Sequence, residues 1–260
     1  MNYEPITGRF REKVVIVTGS GSGIGEATAR RFSAEGAVVV VVGRSRTKLK
    51  RVARDLPKER TLVQRCDVSK LADVQRLVST TAKAFGQIDV LVNNAGVAVD
   101  GDIAKMKPAD WDKVMNTNAR GTFNGCQTVL PHLVQTGGCI VNNASVSGLG
   151  GDWGMCVYDA SKGAIVNLTR ALALDYGSRG VRVNSVCPSL TLTPMAADIK
   201  SDRKAMAKFL ERAPLGRAAE PEDIAAVIAF LASPDAAFIT GVNLPVDGGV
   251  TASNGQPNFQ

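Results

Sequence analysis

The stretch Thr18-Gly19-Ser20-Gly21-Ser22-Gly23-Ile24-Gly25 follows directly on the apolar run Lys13-Val14-Val15-Ile16-Val17 and leads into a segment with helical spacing. A strand that turns through glycines into a helix suits a phosphate. The glycines allow a tight turn and close backbone approach, and the free N–H groups of the helix N-terminus meet the negative charge. The spelling is not G-x-G-x-x-G, because the sixth place is Ile24 counted from Gly19 and Glu26 counted from Gly21; it is T-G-x-x-x-G-I-G. Glycine-rich turns are common, so the weight of this one comes from its place between the first strand and the first helix.

Outward from this loop, short apolar, β-branched runs recur at residues 13–18, 38–42, 61–66, 88–93, 138–144, 181–187 and 242–246. Helical spacing occupies 25–34, 47–56, 71–85, 108–133, 157–176 and 221–231, the last opened by Pro221 as a first-turn proline. Strands apolar throughout, alternating with helices, predict an α/β fold: a doubly wound, Rossmann-like parallel sheet with helices on both faces. No repeat, low-complexity tract or linker interrupts residues 1–260, which read as one domain. The tail 248–260, containing Gly, Asn and Pro, reads either as loose or as packed across a neighbouring subunit.

Composition narrows the function. Hydrophobic residues make up 45% and charged residues 21% of the chain, which excludes a disordered protein. No apolar run of about 18 residues is present, so no membrane span is expected. The N-terminus has no signal-peptide core, and a cytoplasmic location is expected. Cys66, Cys126, Cys139, Cys156 and Cys187 are scattered singly and read as buried free thiols. The net charge is +7, and residues 9–65 hold fourteen Lys/Arg against five Asp/Glu. That basic quarter lacks any nucleic-acid-binding signature, so no nucleic-acid partner is expected. It reads either as solvated helix surface or as attraction for a polyanionic small molecule. A single histidine, His132, argues against a Ser-His-Asp triad and a histidine-rich metal site, and no metal is needed. Asp152 and Asp159 read as exposed polar residues rather than a catalytic pair.

Tyr158 and Lys162, four apart on a helix, share a face. A phenol with a pKa of about 10 is a poor acid–base group at neutral pH, and a nearby ammonium, together with an oxidised cofactor, is expected to pull that value down. With Asn93-Asn94-Ala95-Gly96 after the fourth strand and Ser145 thirteen residues before Tyr158, the T-G-x-x-x-G-I-G and Tyr158-x-x-x-Lys162 motifs resemble the short-chain dehydrogenase/reductase family over about residues 13–249. The resemblance implies a seven-stranded parallel sheet, a nicotinamide cofactor and reversible ketone/secondary-alcohol chemistry. It implies that Tyr158 is the acid/base, that Lys162 bonds the nicotinamide ribose, and that Ser145 holds the substrate oxygen. Asn118 matches the family's asparagine that holds a relay water. It further implies that Gly19, Ser20, Gly21, Ser22, Gly23, Ile24 and Gly25 cradle the pyrophosphate and that Asp67 and Val68 hold the adenine. Asn94, Ala95 and Gly96 line the cofactor's middle, while Pro188, Thr191 and Thr193 meet the carboxamide. Where the family has Pro-Gly, this chain has Pro188-Ser189, so an altered turn is expected there.

In this fold the residue ending the second strand meets the adenosine 2′ position. Gly43 stands where NAD enzymes place a carboxylate, and Arg44 and Ser45 follow. Lost repulsion and a guanidinium fork favour a 2′-phosphate, so NADP(H) is preferred and NAD(H) is possible. The absence of a basic residue in the glycine loop makes the preference partial. The segment 144–154 and the ending 245–257 look like acetoin reductase/2,3-butanediol dehydrogenase members, which usually use NAD. Positions expected to face substrate (97–99, 147–156, 190–197) are mainly small or apolar and include no Arg or Lys at 97–99 and 147–156. A neutral ketone follows: a small diketone or α-hydroxyketone, or an aryl ketone. A 3-oxoacyl thioester is the alternative, and a non-catalytic cofactor sensor a distant one. Helices 108–133 and 157–176 carry more apolar residues than one core stripe requires, which predicts a homotetramer, with a dimer next.

Overall fold

A computed structural model describes residues 8–255. Seven strands, β1 (Val14–Thr18), β2 (Val38–Gly43), β3 (Thr61–Arg65), β4 (Val90–Asn93), β5 (Cys139–Asn143), β6 (Arg182–Pro188) and β7 (Asn243–Val246), form one sheet in the order β3-β2-β1-β4-β5-β6-β7. Every pairing is parallel. The order reverses between β1 and β4, the switch point at whose carboxyl ends doubly wound sheets hold ligands. The strands are buried on both faces because alternate β1 residues enter opposite layers. Val15 and Val17 pack with Phe32, Leu49 and Ile228, and Val14 and Ile16 with Leu77, Val129 and Leu133.

The helices are α1 (Gly23–Ala34), α2 (Arg46–Arg54), α3 (Leu71–Phe85), α4 (Pro108–Met115), α5 (Gly121–Thr136), α6 (Cys156–Gly177), α7 (Ala197–Ser201), α8 (Arg203–Arg212) and α9 (Pro221–Ala232). Among the described residues no helix is long and apolar enough to cross a membrane. The expected continuous helix 108–133 is two helices joined by a π-turn at Asn116–Arg120, and α5 runs on through Pro131 to Thr136. Such turns are often found at functional sites, and this one buries Asn118. Helices α7 and α8 lie outside the segments with helical spacing named above. Asp202 caps α8 by accepting from Lys204 N and Ala205 N. The tail follows the sheet as far as Gly255, and its last five residues lie outside the described residues.

Two threads of buried hydrogen bonds tie the carboxyl ends of the strands together. Thr18 Oγ1 accepts from the backbone N–H groups of Asn94 and Ala95. The Asn94 amide donates to Thr18 O at 2.9 Å and accepts from Asn143 Nδ2 at 2.9 Å. On the other face Asn93 Nδ2 donates to Asn142 Oδ1 at 3.0 Å, and Asn142 Nδ2 to Thr169 Oγ1 of α6 at 2.9 Å. Successive strand residues point to opposite faces, so the Asn-Asn pairs ending β4 and β5 supply both threads.

Candidate active site

A cavity of about 1450 Å³ opens over these strand ends. Gly19, Gly21, Ser22, Gly23 and Ile24 line one end with Arg44, Ser45, Asp67 and Val68. Asn94, Ala95 and Gly96 line its middle, and Ser145, Tyr158, Lys162, Pro188, Thr191 and Thr193 the far end. Gly19 has φ +68°, and a Cβ there would sit 2.9 Å from the Ala95 Cα. Only glycine lets the loop lie this close to the end of β4. A nicotinamide dinucleotide fits this surface: the loop is bare backbone, no carboxylate ends β2, and the buried Asn143 Oδ1 on the wall has no protein partner.

Three expected residues stand outside the cavity wall. Ser20 is fully buried, its hydroxyl accepting from Val42 N at 2.7 Å and donating to Val42 O at 3.3 Å, so it ties the loop to β2. Gly25 lies under the loop, where a Cβ would come within 2.4 Å of Asn94 Nδ2 and Gly19 O. Asn118 spends its side chain on protein, accepting from Val97 N and donating to Val97 O and Ser161 Oγ, each at 2.9 Å. Its amide therefore has little left for a relay water. Ser161 is the buried anchor of that amide. Ser189, where the family has glycine, takes no positive φ, and its hydroxyl donates to Asp247 O at 3.1 Å.

The reacting end is built on α6 and the turn after β5. Tyr158 and Lys162 share one face of α6, with Lys162 Nζ 5.4 Å from the phenol ring centroid. Lys162 is buried and donates to Asn143 O at 2.7 Å. Ser145 Oγ accepts from Ser147 N at 3.1 Å and makes a long, 3.4 Å bond to Pro188 O. Ser145 also hydrogen-bonds the Tyr158 phenol. A Cβ on Gly148 would lie 2.7 Å from the Lys162 carbonyl group, so glycine there seats the Ser145 turn against α6.

The protein's own electrostatics work against the lowering expected from the ammonium and an oxidised cofactor together. Burial pushes the Tyr158 phenol up to about 12; the Ser145 bond opposes this, and the Asp159 and Asp152 carboxylates add to it. Lys162 does not pull it down in the protein alone. Lys162 itself, buried without a carboxylate partner, falls to about 8. Asp152 is exposed as expected, but Asp159 is half-buried and raised by desolvation, its Oδ1 unpartnered.

Sequence reading missed much of the wall: Asn143, Ile199, Phe209, Arg212 and Val250. Arg212 also breaks the reading of a substrate end free of cations. The signal was present in Ala205, Met206, Phe209 and Leu210, whose spacing is helical behind an Asp202 cap.

The comparisons agree with this geometry. A family model described as enoyl-(acyl carrier protein) reductase matches residues 19–251. Meso-2,3-butanediol dehydrogenase of Serratia marcescens is 54% identical over 96% of this chain and 99% of its own. The chain belongs to the short-chain dehydrogenase/reductase family. Levodione reductase of Leifsonia aquatica is 39% identical over 95% of this chain and 97% of its own. A crystal structure of levodione reductase superposes with a TM-score of 0.89 at 38% identity, covering 94% of this chain and 99% of that one. As a member of this family the protein is an oxidoreductase that acts on CH–OH groups with a nicotinamide cofactor.

Lys162 gives a pH signature that needs no cofactor. Its folded pKa near 8 lies below the ordinary lysine value of 10.5. Between those values the unfolded chain holds the proton and the folded one does not, so this residue adds stability as pH rises from about 8. In urea denaturation of the cofactor-free protein, wild type should gain on Lys162→Met by on the order of 1 kcal/mol per pH unit over that window. A pH-independent difference between the two proteins would show that Lys162 is not held in a lowered state.

Proposed function

We propose that this enzyme interconverts a neutral ketone and its secondary alcohol with NADP(H) preferred over NAD(H), and that residues 1–260 act as one cytoplasmic catalytic domain. The observation that carries the chemistry is the convergence of Ser145, Tyr158 and Lys162 on one end of the cavity. Bound there, the cofactor supplies or takes up the hydride. Ser145 holds the carbonyl oxygen as charge develops on it, exchanging its long bond to Pro188 for the substrate, as oxyanion donors do. Tyr158, kept protonated by burial, gives its proton to the oxygen during reduction. Lys162 orients the ribose and carries charge beside the phenol. Asn118 acts as a positioning residue that locks the π-turn to Val97 and α6.

The cofactor preference rests on Gly43 and Arg44. Among the described residues Arg44 makes no ion pair within 4.0 Å, and it borders the adenosine end of the cavity with Lys48. A free guanidinium suits a 2′-phosphate. Ser45 is partly committed, since its hydroxyl caps α2 at Lys48 N. The relative named for butanediol and the mainly apolar wall support a small neutral substrate. Arg212 and a 39% identical relative, 3-oxoacyl-(acyl-carrier-protein) reductase FabG of Thermotoga maritima, support a second reading, 3-oxoacyl-thioester reduction. A homotetramer is supported by apolar side chains facing outward from α5 and α6, Phe123 at 48% and Leu174 at 84% exposure.

An NADPH-oxidation panel with diacetyl, acetoin, an aryl ketone and a 3-oxoacyl thioester tests the substrate; clear preference for the thioester overturns the neutral-ketone reading. Tyr158→Phe should retain cofactor binding and lose at least about 10²-fold in turnover; more than a tenth of wild-type turnover would exclude Tyr158 as the acid. Arg44→Ala should raise KM for NADPH about tenfold or more and leave NADH nearly unchanged, and equal effects would remove the 2′-phosphate assignment. Light scattering at micromolar protein should give the tetramer mass, and a monomer mass refutes assembly.

A further inference from the structure

Ser147 lies two residues beyond Ser145 in the same turn, buried, on the cavity wall. The bond from Ser147 N to Ser145 Oγ, 3.1 Å, holds the two residues in one turn. Ser147 Oγ donates to Asp152 Oδ2 at 3.3 Å, so its proton is committed and its lone pairs are left. Asp152 Oδ1 accepts only from its neighbour Trp153 N, at 2.9 Å. Among the described residues no Lys or Arg lies within 4.0 Å of the Asp152 carboxylate. The backbone there is fixed too, Asp152 N donating to Asp159 Oδ2 at 2.9 Å. Beside the serine assigned to the reacting oxygen, Ser147 and Asp152 thus present acceptors, with the Ser147 proton already committed.

We propose that Ser147 and Asp152 form a subsite that selects substrates bearing a hydroxyl on the carbon next to the reacting one: α-hydroxyketones in reduction, vicinal diols in oxidation. The proposal rests on the ketone/alcohol reading and deepens it. Two hydroxyl groups two residues apart in one turn match two oxygens on adjacent carbons. A hydroxyl donates to Asp152 or to the Ser147 lone pair. A second carbonyl finds no donor unless the Ser147–Asp152 bond breaks, and a carboxylate is repelled. A methylene gains nothing and leaves the carboxylate less solvated. The mostly apolar remainder of the wall therefore matters less to selection than this one polar corner.

The test compares kcat/KM for acetoin, butan-2-one and diacetyl in wild type, Asp152→Ala and Asp152→Asn. Wild type should prefer acetoin over butan-2-one by about tenfold or more. Asp152→Ala should reduce that ratio to about twofold, chiefly by raising KM for acetoin relative to that for butan-2-one. Asp152→Asn, which still accepts through its amide oxygen, should fall between them, and it serves where the alanine variant does not fold. A wild-type ratio near one, a ratio unchanged in both variants, or an equal loss on all three substrates overturns the subsite while ketone reduction stands. Wild type inactive on all three overturns the ketone reading itself, and the subsite with it.

Discussion

The site depends on the chain of buried amides that crosses the carboxyl ends of β1, β4 and β5 and ends on α6. Parallel strands bond sideways through their backbones, but nothing in that ladder fixes how far the loops after them may diverge. Here Thr18, Asn94 and Asn143 fix the loops on one face, and Asn93, Asn142 and Thr169 fix the strands to α6 on the other. Every amide in the chain is buried or half-buried, so truncating one leaves its neighbour unpaired at a cost of about 1–3 kcal/mol. That asymmetry makes the arrangement specific as well as stable. The Asn143 carbonyl then takes the Lys162 ammonium, and the position of the lysine follows from the thread that holds Asn143.

Holding Lys162 in this way has an electrostatic consequence. A buried ammonium without a carboxylate loses its proton more readily, while a buried phenol keeps its own more firmly. The values near 8 for Lys162 and near 12 for Tyr158 move in the directions that burial dictates. A protonated phenol is the form that reduction needs, and the alkoxide it serves is a much stronger base than phenolate. For oxidation the same burial is a handicap, and positive charge near the phenol has to offset it. The carboxylates of Asp152 and Asp159 work against that offset, so the protein alone is built toward proton donation.

Much of this was legible in sequence. The strands and most helices followed from apolar runs and helical spacing, and the ends of β4 and β5 were marked by their paired asparagines. What escaped has physical causes. The π-turn at Asn116–Arg120 depends on bonds from Asn118 to Val97 and Ser161, which lie far away in sequence. The opposing effect of burial on Tyr158 escaped because spacing shows a nearby lysine but not that the phenol is partly buried beside two carboxylates. Ser20 and Gly25 sit inside the glycine motif, yet their contacts are with Val42, Asn94 and Gly19. A motif shows where a loop lies and not which of its residues hold the loop together. The helices of residues 197–212 were obscured by charge, since their apolar faces cover a cavity and not the core.

The basic first quarter shows how structure settles what charge counting leaves open. Arg9 and Arg31 close on the buried Glu35, Lys13 on Asp89, Arg30 on Glu26 and Asp55, and Arg51 on Glu26. Those cations are spent on the fold: they neutralise acids brought near by packing, and their field outside the protein is small. Arg44 and Lys48 differ in having no acid within ion-pair range among the described residues and in bordering the cavity. They also stand in the first turn of α2 or just before it, where no acidic residue balances the positive end of the helix. An unpaired cation at a helix N-terminus is destabilising by itself, so the fold gains nothing from Arg44 and Lys48 there. A polyanion at the adenosine end of the cavity would offset that cost.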